Sequence, residues 1–180
     1  MKKKLVIGLA GEISAGKGTV AEYLKKKYGA SVYRFSDALY DVADRFHLLK
    51  SRENLQKIST IFRQEFGDDI LSETIFNDVK KDKNPLIVID GVRRQADIKF
   101  MKKIKNFKLV FIDADIEKRF KRIKKRGEKS DDRKKTFKEF VADHGREAER
   151  EIGSLKKIAD FVIDNNGKFS DLYRQVENIV

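Results

Sequence analysis

The sequence contains no cysteine. Disulfides and thiolate metal sites are therefore excluded outright, and the absence fits a cytoplasmic location. Proline is nearly as scarce. The single one, Pro85, stands directly before an apolar run, at the start of a strand, where its missing N–H does least harm. No apolar stretch approaches the roughly 20 residues of a membrane span, so a soluble protein without a membrane partner is expected. Met1-Lys2-Lys3-Lys4 followed by Leu5-Val6-Ile7-Gly8-Leu9-Ala10 imitates a signal peptide, but the apolar run is too short and leads straight into a lysine-bearing glycine loop. Linkers, internal repeats and low-complexity tracts are also lacking. The 180 residues read as one domain.

Positive charge is what the sequence has in excess. It carries 41 basic and 29 acidic residues, a formal net charge of +12. Such a balance favours polyanionic partners: nucleic acid, anionic membrane or phosphorylated metabolites. Much of the excess sits in short lysine clusters such as Lys25-Lys26-Lys27 and Lys102-Lys103, which on helices read as solvated faces. Hydrophobic residues make up 40%, enough for a sizeable core.

Four apolar runs read as buried parallel strands: Leu5–Leu9, Leu86–Ile89, Leu109–Ile112 and Phe161–Ile163, with a weaker fifth at Ser31–Phe35. Helix-period segments separate them, and that alternation implies a parallel sheet covered on both faces. The segment from Gly16 to Tyr28 reads as a helix ending near Gly29. Ser51 is a candidate cap for a long helix in which Leu55, Ile58, Phe62 and Phe66 recur at helical spacing and should face the core. Gly67-Asp68-Asp69 breaks it, and a further helix runs to about Lys80. The most polar stretch, Lys118–Lys138, passes through Gly127-Glu128-Lys129-Ser130-Asp131-Asp132, a loop with the makings of a lid.

The chemistry centres on Gly11-Glu12-Ile13-Ser14-Ala15-Gly16-Lys17-Gly18-Thr19. The segment follows the first strand and opens the first helix, and its spacing matches a phosphate-binding loop through the lysine. Glycines let successive N–H groups point at one phosphate, and the helix N-terminus adds its positive end. Lys17 can reach the β- and γ-phosphates. The usual hydroxyl after the lysine is replaced by Gly18, which has no side chain for magnesium. Thr19 can contact the α-phosphate, leaving the metal largely to phosphates and waters.

Further candidates lie at strand ends. Asp90 closes Leu86-Ile87-Val88-Ile89, where such enzymes organise magnesium through water, at the edge where ligands bind in parallel sheets; a turn cap is the bland alternative. Arg93 and Arg94 follow at once, and Arg93 joins the acceptor-binding candidates. In Arg34-Phe35-Ser36-Asp37, Asp37 can orient an acceptor hydroxyl and Ser36 can cap a helix. Arg119, Arg122 and Arg126 recur at spacings of three and four and should share a helix face. Arg63 lies off the apolar stripe of its helix. Arginine forks suit phosphate oxygens. Asp164-Asn165-Asn166-Gly167 can border a purine or simply form a turn. His47 and His144 show no partner pattern.

These residues resemble the nucleoside monophosphate kinase group of P-loop proteins. Gly16-Lys17-Gly18-Thr19 looks like the adenylate kinase form of the loop, without the proline common there. Arg122-Ile123-Lys124-Lys125-Arg126 is similar to the run leading into the adenylate kinase lid. Ile7 to Ile13 and Ala159 to Gly167 resemble the two ends of dephospho-CoA kinase. The middle departs from that family at Phe35-Ser36-Asp37 and at Asp90-Gly91-Val92-Arg93-Arg94. With Arg63, it is instead similar to phage-type deoxynucleoside monophosphate kinases and an archaeal nucleotide kinase family.

The resemblance implies an α/β fold of the P-loop NTPase type. That fold is a three-layer α/β/α domain over residues 1–180 with a five-stranded parallel sheet, a helical acceptor-binding insertion at about 36–82 and a lid at about 119–150. It implies ATP with magnesium, and a small-molecule phosphate acceptor such as a (deoxy)nucleoside monophosphate, with dephospho-CoA the alternative. By carry-over, Lys17 contacts the transferred group, Arg122 and Arg126 close over the phosphates, Asp37 and Arg63 face the acceptor, and Asn165 to Gly167 border the adenine. Rival classes fare less well. No Asn-Lys-x-Asp of a regulatory GTPase occurs. A nucleic-acid-associated ATPase is permitted by the charge but lacks an aromatic platform motif. A nucleotide-binding protein without turnover is a third class, since fold alone does not settle function.

Overall fold

Leu5–Ala10 is an almost unbroken apolar run, and such a strand is stable only when both its faces and both its edges are covered. A computed structural model describes residues 4–126, 133, 135–143 and 151–180 and supplies that cover. β1 (Leu5–Ala10) is the centre of a five-stranded sheet of order β2-β3-β1-β4-β5. Its companions are β2 (Ser31–Arg34), β3 (Leu86–Val92), β4 (Phe107–Asp113) and β5 (Phe161–Asp164). Every strand pair is parallel. The chain leaves β1 towards β2 and later crosses back to β4, so the direction of winding reverses beside β1. Ligands bind at such a reversal, outside the carboxyl ends of the strands.

Strand alternation sorts the core into two layers. Val6, Ile87, Ile89, Leu109 and Phe111 face one way, against α2 (Phe35–Arg45), α3 (Arg52–Phe66), α4 (Ile70–Lys81) and α7 (Ile152–Ile158). Ile7, Leu9, Val88, Val110 and Ile112 face the other way, against α1 (Lys17–Tyr28) and α8 (Phe169–Glu177). Each fully buried Leu or Ile among these contributes about 1.5–3 kcal/mol by leaving water. Helix α5 (Ile116–Arg126) follows β4, and α6 (Phe137–Asp143) packs Phe140 beneath it.

The expected ends hold with small shifts. Gly29 takes the left-handed conformation (φ 68°) that stops α1, and Ser51 Oγ accepts from the Asn54 N–H at 3.2 Å to start α3. Two expectations fail. Phe35 is not the end of β2 but the first residue of α2, where it is buried. Phe66 does not face the core: it is 65% exposed, because the chain turns at Gly67 before another element can cover the last turn of α3. The expected lid loop at 127–132 and His144 lie outside the described residues, as does the side chain of Arg126. No helix among the described residues is long and apolar enough to cross a membrane.

Candidate functional site

β1 delivers the chain to the carboxyl edge of the sheet, and residues 11–16 curl back there before α1 begins. The curl needs left-handed backbone at Gly11 (φ 144°), Ser14 (φ 59°) and Gly16 (φ 115°). A Cβ on Gly11 would stand 2.5 Å from the Ile112 carbonyl oxygen, and one on Gly16 2.3 Å from Asn165 Nδ2. Both positions therefore require glycine on grounds of space as well as conformation. The Ala15 N–H donates to the Glu12 carbonyl at 3.1 Å and tightens the turn. Lys17 opens α1, and its Nζ donates to the carbonyls of Gly11 at 2.6 Å and Glu12 at 3.1 Å. The first turn of α1 contains no acidic residue, so the positive end of the helix dipole is not offset from within. Gly18 is exposed and Thr19 half-buried on the same turn.

The back of this loop is held by residues far along the chain. Asn165, 4% exposed, donates its Nδ2 to the Ala15 carbonyl at 2.7 Å. Arg122 donates Nη2 to the Asn165 carbonyl at 2.7 Å and, more weakly, Nη1 to Ala15 at 3.5 Å. Arg119 is 3% exposed. It donates to the carbonyls of Ala114 and Ile13 and pairs with the Glu12 carboxylate at 2.5 Å. A buried guanidinium is tolerated when it is satisfied in this way.

Arg119 and Arg122 share a helix face as their spacing implies, but that face meets the loop instead of solvent. Arg119 braces the loop and is not presented to solvent, because α5 packs against the loop on that side. Arg122 sits behind the loop. The side-chain amide of Asn165 is used on Ala15. Asn166 accepts from the Asp115 N–H at 2.8 Å, its carbonyl accepts from Lys118 Nζ, and Gly167 leads on to α8.

On the other side of the loop lies a cavity of about 420 Å³, bounded by the loop, α2, α3 and the end of β3. Ile13 and Lys17 line it from the loop, and Ser36, Arg63, Asp90, Arg93 and Arg94 line it from beyond. A bulge aims Asp90. The β1–β3 register slips between Leu9/Asp90 and Ala10/Val92, and the residue skipped is Gly91 at φ 92°. Bulges of this kind bend a strand and redirect a side chain. Asp90 faces Arg34, its β2 register partner, at 3.6 Å.

Asp37 does not line the cavity. Its carboxylate accepts from the Arg34 N–H at 3.0 Å and so caps α2, the task expected of Ser36. The exchange follows from α2 starting at Phe35: Asp37 becomes the third helical residue, within reach of the free N–H of Arg34.

Among the described residues, three buried side-chain atoms lack a hydrogen-bond partner: Ser14 Oγ, Asp90 Oδ1 and Arg63 Nε. Buried polar atoms are nearly always paired, and exceptions call for a cause. Here one lies on the loop, one at the end of β3 and one on α3 at the cavity wall.

The AAA domain family matches residues 10–140. The UPF0200 protein of Pyrococcus furiosus is 32% identical over 181 residues, covering 98% of this chain and 96% of that one. The chain belongs to the UPF0200 family and carries an AAA domain. A second UPF0200 relative, from Methanocaldococcus jannaschii, is 29% identical over 179 residues and covers 98% of this chain and 89% of its own. Among solved structures, shikimate kinase from Bacteroides thetaiotaomicron superposes with a TM-score of 0.64 at 17% identity, covering 97% of this chain and 96% of that one. Shikimate kinase from Aquifex aeolicus superposes at 0.56 with 20% identity, over 97% and 95%. These establish a P-loop kinase-like fold for this UPF0200 chain. They favour neither the nucleoside monophosphate kinase nor the dephospho-CoA kinase resemblance over other members of that group.

The structure gives three residues of the site partners that the sequence did not indicate. Arg34 reaches Asp90 only because β2 and β3 pair in that register. Arg119 was grouped with the phosphate arginines, although its place five residues after Ala114 lets it fold back on its own strand end. Asp97 gave a faint signal, an acid three and four residues after two arginine N–H groups, and its partner on α3 is 34 residues away.

Proposed function

We propose that the protein is a phosphotransferase that moves the γ-phosphoryl group of ATP to a small anionic acceptor, a ribo- or deoxynucleoside monophosphate foremost. The observation that carries this is the clustering of the unpartnered buried atoms Ser14 Oγ, Asp90 Oδ1 and Arg63 Nε around one loop and one cavity. Fold stability alone gives no reason for three such costs in one place, whereas ligands that complete them do.

In this reading the loop 11–19 cradles the triphosphate, Lys17 moves from the Gly11 and Glu12 carbonyls onto the transferred group, and Arg122 leaves the Asn165 carbonyl to close over it. Asn165, Asn166 and Gly167 border the adenine through main chain. The acceptor lies in the cavity. Six cationic side chains line it against two carboxylates, Asp90 and Asp97, which suits a phosphate-bearing acceptor. Arg63, Arg93 and Ser36 meet that phosphate, and Phe35 and Tyr40 offer flat apolar contact to a base. The acceptor oxygen attacks the γ-phosphorus, the bond to the β–γ bridging oxygen breaks, and ADP leaves. Positioning and charge stabilisation provide most of the rate. Asp90 faces the reacting groups and is the carboxylate that, through water, positions the attacking oxygen of the acceptor phosphate; Asp37 is kept as a cap. The insertion at 36–82 encloses the acceptor side of the site.

Magnesium fits the residues present. No group of three or more acidic, histidine or cysteine side chains among the described residues could hold a metal by itself, so the nucleotide phosphates must supply ligands. Asp90 Oδ1 is a buried oxygen without a donor, suited to a metal-bound water, and Thr19 is the nearest hydroxyl in sequence to the loop lysine. Bound there, magnesium would neutralise charge on the phosphates.

The test is ADP release from ATP and magnesium across each ribo- and deoxynucleoside monophosphate, dephospho-CoA and shikimate. Turnover on a monophosphate is expected. Turnover on dephospho-CoA alone would transfer the assignment to that acceptor, and tight ATP binding with silence across the panel would sink the kinase reading.

A further inference from the structure

Asp97 is 2% exposed and stands at the foot of the cavity on a short 3₁₀ turn, Ala96–Ile98. It accepts four-square from three donors on two different elements. One oxygen takes the N–H of Arg93 at 2.9 Å and of Arg94 at 3.1 Å. The other takes Nη2 of Arg63, from α3, at 2.8 Å. The Arg63 side chain is itself only 9% exposed. Its Nη1 donates to the Asp68 carbonyl, and its Nε has no partner. The guanidinium is thus clamped at both ends of its fork, with the third donor left over, at the wall of the cavity.

One carboxylate therefore ties α3 to the turn after β3, and the residues it ties are arginines that line the cavity. The Arg93 and Arg94 contacts are made by main-chain N–H groups, so a purely structural clamp needs no arginine at those cavity-lining positions. Nor does it need a buried guanidinium with a donor unmade, which an apolar pair of the same shape would avoid. We propose that Asp97 is a positioning residue: it presets Arg63 and the main chain of Arg93 and Arg94 as a preformed seat for the phosphate of the acceptor. This rests on the phosphotransferase reading for its substrate, but not for its anion. The function of the clamp is to hold the arginines in the bound arrangement before the ligand arrives, so that binding does not spend its energy on ordering them.

The test separates the seat from the chemistry. Protein saturated with a non-hydrolysable ATP analogue, so that the loop is filled, is titrated with inorganic phosphate. Asp97→Asn should weaken phosphate binding about tenfold, the scale of one charge-assisted contact, while affinity for the ATP analogue is unchanged. Arg63→Gln should do the same, and the double variant should lose little more than either single one, because the residues act as a unit. Asp97→Glu, which keeps the charge, should restore part of the loss and stands in if Asp97→Asn does not fold. Variants that melt at lower temperature yet bind phosphate as the parent does would reduce Asp97 to a structural tie and overturn the proposal. So would a parent protein that, with its loop filled, binds no phosphate. Phosphate binding that depends on Asp97 without turnover on any acceptor of the panel would leave the seat standing and remove the kinase reading.

Discussion

The two halves of the site are built on opposite plans. On the donor side a contiguous loop is closed from behind by a ring of contacts to its own main chain: Asn165 and Arg122 on Ala15, Arg119 on Ile13, Lys17 on Gly11 and Glu12. On the acceptor side nothing is contiguous. The cavity is assembled from β2, α2, α3 and the turn after β3, and its charged groups are tied side chain to side chain, Arg63 to Asp97 and Arg34 to Asp90. A loop braced through carbonyls has one shape whatever the acceptor is. A pocket braced through ion pairs can change its preference by changing a few side chains. The difference teaches where specificity resides in such a protein.

The sharpest way to break the comparison is Lys17→Ala. It removes a cation that belongs to the loop and also lines the cavity, and turnover should fall by roughly 10²–10³-fold or more while the thermal melt hardly moves. An ADP-release assay beside a melting curve checks it, and near-normal turnover would take the loop out of the chemistry. Next comes Arg119→Leu. Removing one member of a buried ion pair costs about 3–5 kcal/mol, and the half-exposed Glu12 left behind lowers that towards the bottom of the range. Urea unfolding should show the loss, with ATP binding weakened and acceptor binding in the survivors spared; weakened acceptor binding alone would mean the brace serves the wrong side.

Arg93→Ala should act in reverse. The KM for the acceptor rises about tenfold, with the KM for ATP unchanged, and a matching rise in both would erase the boundary between the halves. The smallest effect concerns the base of the acceptor helices. Asp82, just after α4, is held below the usual carboxylate range by a hydrogen bond from Ser31, then by the Asn84 N–H and the Tyr33 hydroxyl. A depressed carboxyl contributes stability that is full above its unfolded value of about 4 and fades as pH falls through the folded one. Asp82→Asn should therefore lower stability modestly at pH 7 and flatten the loss below about pH 4, so that variant and parent converge in acid. An unaltered acid limb in urea titrations would exclude Asp82 as its source.

The same contrast explains what the sequence could say. The sheet was legible because β1, β3 and β4 are buried on both faces and write that burial as apolar runs. The loop was legible because its geometry is made by neighbours in sequence. Phe35 misled because an apolar residue at the end of a half-exposed strand serves equally well as the first buried residue of a helix. Arg119 and Arg122 share a helix face by spacing, yet spacing does not say whether that face looks at solvent or at the back of a loop. Asp97 gave only the faint local mark of its spacing after Arg93 and Arg94, because its value lies in α3 coming to rest beside the turn after β3. Asp37 and Ser36 exchanged tasks through a shift of one residue in the start of α2, within the usual uncertainty of helix ends.

The contact between Gly16 and Asn165 has a consequence in time. The amide that fills the space behind the loop is 150 residues downstream of its acceptor, Ala15. A growing chain on the ribosome therefore carries this loop without the wedge that sets its shape until those 150 residues have been made. The loop takes its braced shape only once β5 has docked beside β4, so the fifth strand of the sheet is the latch on the turn that follows the first.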